Sequence, residues 1–147
     1  MKRRILVIAN ETVAGAELRE EIVRRARAAD ADVLVVCPAL NSRLRHWLSD
    51  DDGARAEAAR RLESSLRALA LEGVAAEGYV GDSDPVQALD DALRAHGADE
   101  VVISTHPPGR SNWLERGVVT RARARYRVPI DHVVVDLRLS PAVLRAA

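Results

Sequence analysis

The residues best suited to bind a ligand lie in a turn after the apolar run at residues 101–104. His106 is followed by two prolines, and then Gly109, Arg110 and Ser111 precede a sequence that can start a helix. Where a strand leads into a helix amino terminus in an open α/β sheet, backbone N–H groups and the helix dipole favour an anion. Gly109 would let the backbone approach a phosphate, and Arg110 would pair with its charge. An ordinary Pro-Gly turn that feeds a helix cap is the alternative.

Two side chains near this turn could contact the same ligand. Asn10 follows the first apolar run of the chain. It could hydrogen-bond a ribose or base, or it could cap the next helix. His106 could donate to a phosphate or titrate near neutral pH, and a solvated loop histidine is the alternative.

The sequence shows none of the common catalytic arrangements. It contains neither a Gly-x-Ser-x-Gly elbow nor a phosphate loop of the Gly-Lys-Ser/Thr type. With a single cysteine, Cys37, and scattered histidines, we expect no metal site and no catalytic residue. These patterns favour a binding protein over an enzyme, with slow nucleotide hydrolysis as the least favoured hypothesis.

Charge and cysteine content narrow the function classes further. The 22 Lys and Arg residues balance 22 Asp and Glu residues, which disfavours indiscriminate nucleic-acid binding because that needs excess positive charge. A lone cysteine cannot form an internal disulfide, and the amino-terminal apolar run is too short for a signal peptide or membrane span. We therefore expect a cytoplasmic protein that binds neither nucleic acid nor membrane.

Short apolar runs alternate with helical periods along residues 1–147, which we interpret as one domain. Asp84-Pro85 is a helix cap followed by proline at the first helical position, and residues 112–115 match a capping box. The predicted strands cover residues 4–9, 32–37, 74–80, 101–104 and 130–137. The predicted helices cover residues 15–29, about 50–71, 85–96 and 112–128. This alternation predicts an α/β fold with a parallel sheet between two layers of helices.

The chain resembles the universal stress protein family over nearly its whole length. The resemblance is carried by the opening strand at residues 4–9, by Val-Gly-Asp-Ser-Asp-Pro at residues 80–85, and by residues 98–104 running into Gly109-Arg110-Ser111. It implies a three-layer Rossmann-like fold with a five-stranded sheet in the order 3-2-1-4-5 and about four helices. Such proteins are usually homodimers, and only some of them bind ATP.

The ATP-binding members carry Gly, two residues, Gly, nine residues, and then Gly with Ser or Thr. Aligned on Gly109, the first position falls on His106, the third on Val119 and the last on Thr120. A β-carbon can obstruct the approach of a backbone amide to phosphate. The family's Asp after the first strand is Asn10 here, which lacks the charge that favours a divalent cation.

The resemblance thus implies a nucleotide-binding or regulatory protein, with ATP or another adenine nucleotide as one possible ligand. The implied ligand contacts are Asn10, His106, Gly109, Arg110, Ser111 and Thr120. The alternative is a ligand-free module that has lost ATP binding and acts through protein contacts. In both cases the last strand would be a sheet edge able to form a homodimer, through Ile130, Val133, Val134 and Val135.

Overall fold

The central sheet has five parallel strands in the order β3-β2-β1-β4-β5. The structure is a computed structural model, and it describes residues 3–39, 51–107 and 117–137. The predicted sheet and strand order are confirmed, since each apolar run forms a strand within a few residues of its predicted bounds. The strands are β1 (Arg4–Ile8), β2 (Asp32–Pro38), β3 (Ala76–Gly81), β4 (Glu100–Thr105) and β5 (Ile130–Val134).

Four α-helices connect the strands in the described part of the chain. They are α1 (Ala16–Ala29), α2 (Asp51–Leu71), α3 (Pro85–Ala95) and α4 (Val118–Arg125), with a 3₁₀ turn at Glu11–Ala14 between β1 and α1. The carboxylate of Asp84 accepts a hydrogen bond of 2.9 Å from the Val86 amide, with Pro85 at the first helical position. The predicted cap of α3 is therefore confirmed.

The start of α4 differs from the sequence prediction. This helix begins at Val118, after Gly117, whose φ of 71° lies in the left-handed region that favours glycine. The capping-box residues 112–115 lie outside the described residues. Val118 is only 1% exposed, so tertiary packing against the sheet accompanies the helix start.

The two helical layers bury alternate residues of the strands. In β1, Ile5 and Val7 pack with α1 and α2, whereas Leu6 and Ile8 pack with α3 and α4. A parallel sheet covered on both faces has strands that read as continuous apolar runs. Within the described residues, no helix combines the length and apolar character needed to cross a membrane.

An ion-pair network ties the edge strand β5 to α1. Arg25 of α1 lies 2.6 Å from Glu21, 2.7 Å from Asp131 of β5 and 3.4 Å from Glu100 of β4. Burial alone would lower the pKa of Arg25, but hydrogen bonds to Asp131 and Glu21 outweigh burial and raise it. These four residues, the Arg25 cluster, hold the open side of the sheet in place at its amino-terminal end.

Candidate functional site

A small pocket lies where the strand order of the sheet reverses. The chain proceeds outward from β1 to β2 and β3, then returns to place β4 on the other side of β1. In open α/β sheets, ligands bind outside the carboxyl ends of the strands at such a switch point. The pocket is shallow, with a cavity volume of about 10 Å³, and it is lined by Ile8, Ala9, Asn10, Pro38, Pro85, Ile103, Ser104, Thr105 and Val118.

Two larger hollows occur elsewhere on the described surface. One lies at the amino ends of β1 and β2 beside His96, and the other runs along α1 beside Glu72. Neither is at the carboxyl ends of the strands, where loops and helix amino termini meet. The switch-point pocket is therefore the better candidate site despite its smaller size.

Among the described residues, the amino terminus of α3 at this pocket has a side-chain cap and that of α4 has none. Val118 lines the pocket, and the residue before it is Gly117, which has no side chain to cap the helix. The first-turn amides of a helix have no intrahelical acceptor, and they carry the positive end of the dipole. At α3 the carboxylate of Asp84 already accepts one of them. The α4 terminus is therefore the better position for an anion.

Asn10 lies at the carboxyl end of β1 and is held by two donors. It is 3% exposed, and its carboxamide oxygen accepts hydrogen bonds from the guanidinium of Arg61 on α2 and from the thiol of Cys37, 3.6 Å away. Burial raises the pKa of Cys37 to about 11, although the charge of Arg61 opposes that shift, so the thiol is protonated at neutral pH. Asn10 makes no side-chain cap to the following turn, although that alternative was open from the sequence.

Arg61 is a residue of the candidate site that the sequence did not indicate. It lies 51 positions after Asn10 in the middle of a charged helix. In the sequence, nothing distinguishes it from other charged residues nearby, such as Arg60 and Glu63. Only the packing of α2 on the 3₁₀ turn brings this guanidinium, rather than that of Arg60, to the end of β1.

A carboxylate and an imidazole pair between the segments that follow β1 and β4, beside the pocket. His106 Nε2 lies 3.5 Å from a carboxylate oxygen of Glu11. The hydrogen bond with His106 lowers the pKa of Glu11, against the opposing effect of burial. Because β1 and β4 are neighbours, the segments after these strands meet, as the resemblance implied.

The threonine hydroxyls near the end of β4 have structural partners, whereas the buried Oγ of Ser104 has none among the described residues. Thr12 is fully buried and donates to the carbonyl of Ser104 at 3.3 Å, which pins the 3₁₀ turn onto the sheet. Thr105 donates to the carbonyl of His106 at 3.1 Å, and its oxygen lies 2.7 Å from Nε2 of His132. Which of Thr105 and His132 donates in the second contact depends on the tautomer of the imidazole.

The structure places the other predicted contacts as follows. Thr120 is exposed in the first turn of α4 and does not line the pocket. Gly109, Arg110 and Ser111 lie outside the described residues. Among the described residues, no group of three or more His, Cys, Asp or Glu side chains could hold a metal ion.

The residues predicted to pair in a homodimer differ in accessibility. Val134 is 47% exposed on the edge strand β5, and Ile130 and Val133 are more covered. Val135 is completely buried and packs over Gly15, where a Cβ would come within 2.3 Å of its side chain. Val135 is therefore part of the protomer's own core, which corrects its assignment to a dimer surface.

Comparison with known proteins gives a clear result for the fold. No protein-family model matches the chain, and no curated protein matches its sequence. Among solved structures, a universal stress protein family member from Burkholderia pseudomallei aligns with 19% identity and a TM-score of 0.65, covering 89% of this chain and 95% of that one.

Two further structures hold nucleotides. The Archaeoglobus fulgidus universal stress protein in complex with dAMP has 18% identity and a TM-score of 0.61, over 90% of this chain and 99% of that one. An AMP-bound family member from Arabidopsis thaliana has 12% identity and a TM-score of 0.58, over 95% and 96%. The chain therefore has the fold of the universal stress proteins, as its sequence predicted.

Proposed function

We propose that this chain belongs to the universal stress protein family and binds a nucleotide at the switch-point pocket, acting as a binding or regulatory protein. The observation that supports this most directly is the amino terminus of α4. Val118 brings this uncapped terminus to the pocket at the carboxyl ends of β1 and β4. Backbone amides at such a position favour an anion such as phosphate.

The rest of the site suits the other parts of a nucleotide. The pocket wall is mostly apolar, with Ile8 and Ile103 in it each only 2% exposed, and an apolar wall suits a base or sugar. Asn10 adds a hydrogen-bonding group, and His106 stands close by with Glu11. The dAMP and AMP complexes of proteins with the same fold support a nucleotide as the ligand class.

The predicted turn would complete the phosphate contacts. Gly109, Arg110 and Ser111 follow β4 in the chain and precede α4, so they connect the two elements that border the pocket. Arg110 would pair with the phosphate, and Gly109 would allow its amide to approach. Thr120, in the first turn of α4, would hydrogen-bond at the rim.

Native mass spectrometry of freshly purified protein, followed by thermal melting with nucleoside mono-, di- and triphosphates with and without Mg²⁺, tests this function. A ligand at about a hundred times its Kd stabilises the folded state by roughly 2.7 kcal/mol, a melting shift of several degrees. Gly109→Ala and Arg110→Ala should reduce the shift. If no nucleotide stays bound and none raises the melting temperature, the proposed function is wrong.

The edge strand β5 favours a second function, assembly into a homodimer. The carbonyl of Pro129 and the amide of Val135 form hydrogen bonds with β4. Because the backbone groups of successive strand residues point to opposite sides of the strand, the even-numbered residues between them direct their N–H and C=O groups to the open edge. Arg123 already occupies the Ile130 carbonyl through two hydrogen bonds of 3.1 and 2.9 Å. Val134 then offers an exposed apolar side chain and an outward-facing backbone to a second copy.

Sedimentation velocity tests this assembly with one variant and a matched control. Val134→Glu places a charge at the centre of the proposed interface, and we expect the mass to fall from dimer to monomer. Leu71→Glu removes another exposed apolar side chain, 91% exposed at the end of α2 and remote from β5, and should leave the mass unchanged. A dimer that persists in Val134→Glu would exclude pairing through β5.

A further inference from the structure

The carboxamide of Asn10 has only one allowed orientation in this fold. A guanidinium donates hydrogen bonds and accepts none, so the atom of Asn10 that faces Arg61 must be its oxygen. The protonated thiol of Cys37 donates to the same oxygen at 3.6 Å. Both lone pairs of the carboxamide oxygen are thus engaged within the protein, on the side of the sheet covered by α1 and α2.

The hydrogen-bonding capacity that Asn10 has left consists of donors. Its two N–H groups are on the other branch of the carboxamide, and Asn10 is part of the pocket wall. Asparagine reads adenine by accepting from the 6-amino group while it donates to N7, which requires a free oxygen. Asn10 cannot do this while Arg61 holds its oxygen. A donor-only group instead matches the two acceptors, O6 and N7, of a 6-keto purine.

The positions of the elements around the pocket orient the ligand. Val118 and Thr105 form the part of the pocket wall that belongs to α4 and β4, where the amino terminus of α4 favours the phosphate. Asn10 and Pro38 mark the side of β1 and β2, so a nucleotide with its phosphate at α4 extends its base toward Asn10.

We propose that Arg61 acts as a positioning residue that makes Asn10 a donor-only group, so that the site selects 6-keto purine nucleotides over 6-amino ones. This inference rests on the proposed nucleotide-binding function and specifies its ligand. Inosine and adenosine monophosphate are the suitable probes, because their bases differ at the 6-position and in the proton on N1. Asn10 would donate to O6 of the first and would oppose the amino group of the second.

Isothermal titration of the protein, residues 1–147, with the two nucleotides tests the proposal. We expect the wild type to bind inosine monophosphate at least about tenfold more tightly than adenosine monophosphate, the discrimination of one good base contact. Asn10→Asp would pair with Arg61 and turn an acceptor toward the pocket, so the preference should invert. Arg61→Met frees the carboxamide to rotate, and the ratio of the two Kd values should fall toward one.

Arg60→Met is the matched control for these variants. Arg60 is the exposed neighbour of Arg61 on α2, so the control removes the same charge from the same helix and should keep the wild-type ratio. Melting curves of each variant without ligand show whether the fold is intact, and Asn10→Asp should melt no lower than the wild type because it gains an ion pair with Arg61.

The outcomes separate this inference from the function on which it rests. If both nucleotides bind with equal affinity, or adenosine monophosphate binds more tightly, the donor-only role of Asn10 is refuted and nucleotide binding stands. The same holds if Asn10→Asp keeps the wild-type ratio. If neither nucleotide binds the wild type, the proposed function and this inference both fail.

Discussion

A negative charge at position 120 should weaken the binding of a nucleotide without weakening the fold. Thr120 is exposed and lies two residues after Val118, about 3 Å further along the axis of α4. An acid in the first turn of a helix favours folding by about 0.3–1 kcal/mol through the dipole. The same acid would repel a phosphate at the helix terminus, so Thr120→Glu should change binding and stability in opposite directions.

The size of the effect on binding follows from Coulomb's law. For a separation on the order of 6 Å, repulsion between unit charges is about 0.7 kcal/mol in water and about 2.8 kcal/mol at an effective dielectric of about 20. The Kd for a nucleoside monophosphate should therefore rise between about threefold and a hundredfold. Salt should reduce the difference, because a rim charge about a Debye length away is screened.

Titration calorimetry of Thr120→Glu beside Thr120→Gln makes the measurement specific to charge. Both variants lose the threonine hydroxyl, so the ratio of their Kd values isolates the carboxylate. Urea denaturation without ligand gives the stability of each. If the two variants bind a nucleotide equally well at low salt, no phosphate sits at the amino terminus of α4, and the reasoning about this helix is refuted.

Two further predictions concern the scaffold that positions the site. Arg25→Met should lower the free energy of unfolding by about 2 kcal/mol, because it leaves the carboxylates of the Arg25 cluster without their shared cation. Arg24 is exposed, so the control Arg24→Met should lower the free energy of unfolding by less than about 0.5 kcal/mol. Burial would raise the pKa of Glu21, but its hydrogen bonds to Arg24 and Arg25 lower it, so the stabilisation is present above the ordinary pKa and is lost as the pH falls through the folded-state value. Equal urea midpoints for the two variants at neutral pH would contradict this. Gly78→Ala should destabilise the folded protein by about 1–3 kcal/mol, since a Cβ would come 2.6 Å from the Val35 carbonyl oxygen and 2.8 Å from the side chain of Leu62. An unchanged melting temperature would show that α2 does not pack so closely on β3.

Local signals determined most of the elements in advance. Asp84-Pro85 specifies the start of α3 within three residues of chain, because a side-chain oxygen and a fixed φ suffice to begin a helix. The continuous apolar runs specified strands buried on both faces. The start of α4 was missed because a capping-box match at residues 112–115 is a local pattern, whereas Gly117 and the buried Val118 are selected by packing against the sheet.

By itself, the sequence determined the α/β class and the strands, since these follow from hydrophobic period and caps. It also predicted the region of the candidate site, from the rule that sites lie at strand ends. The pairing of Arg61 with Asn10 and of Glu11 with His106 was decided only by the tertiary structure. The burial of Val135 inside its own protomer was decided in the same way. Such contacts join residues far apart in the chain, and they depend on how helices pack on the sheet, which no local pattern encodes.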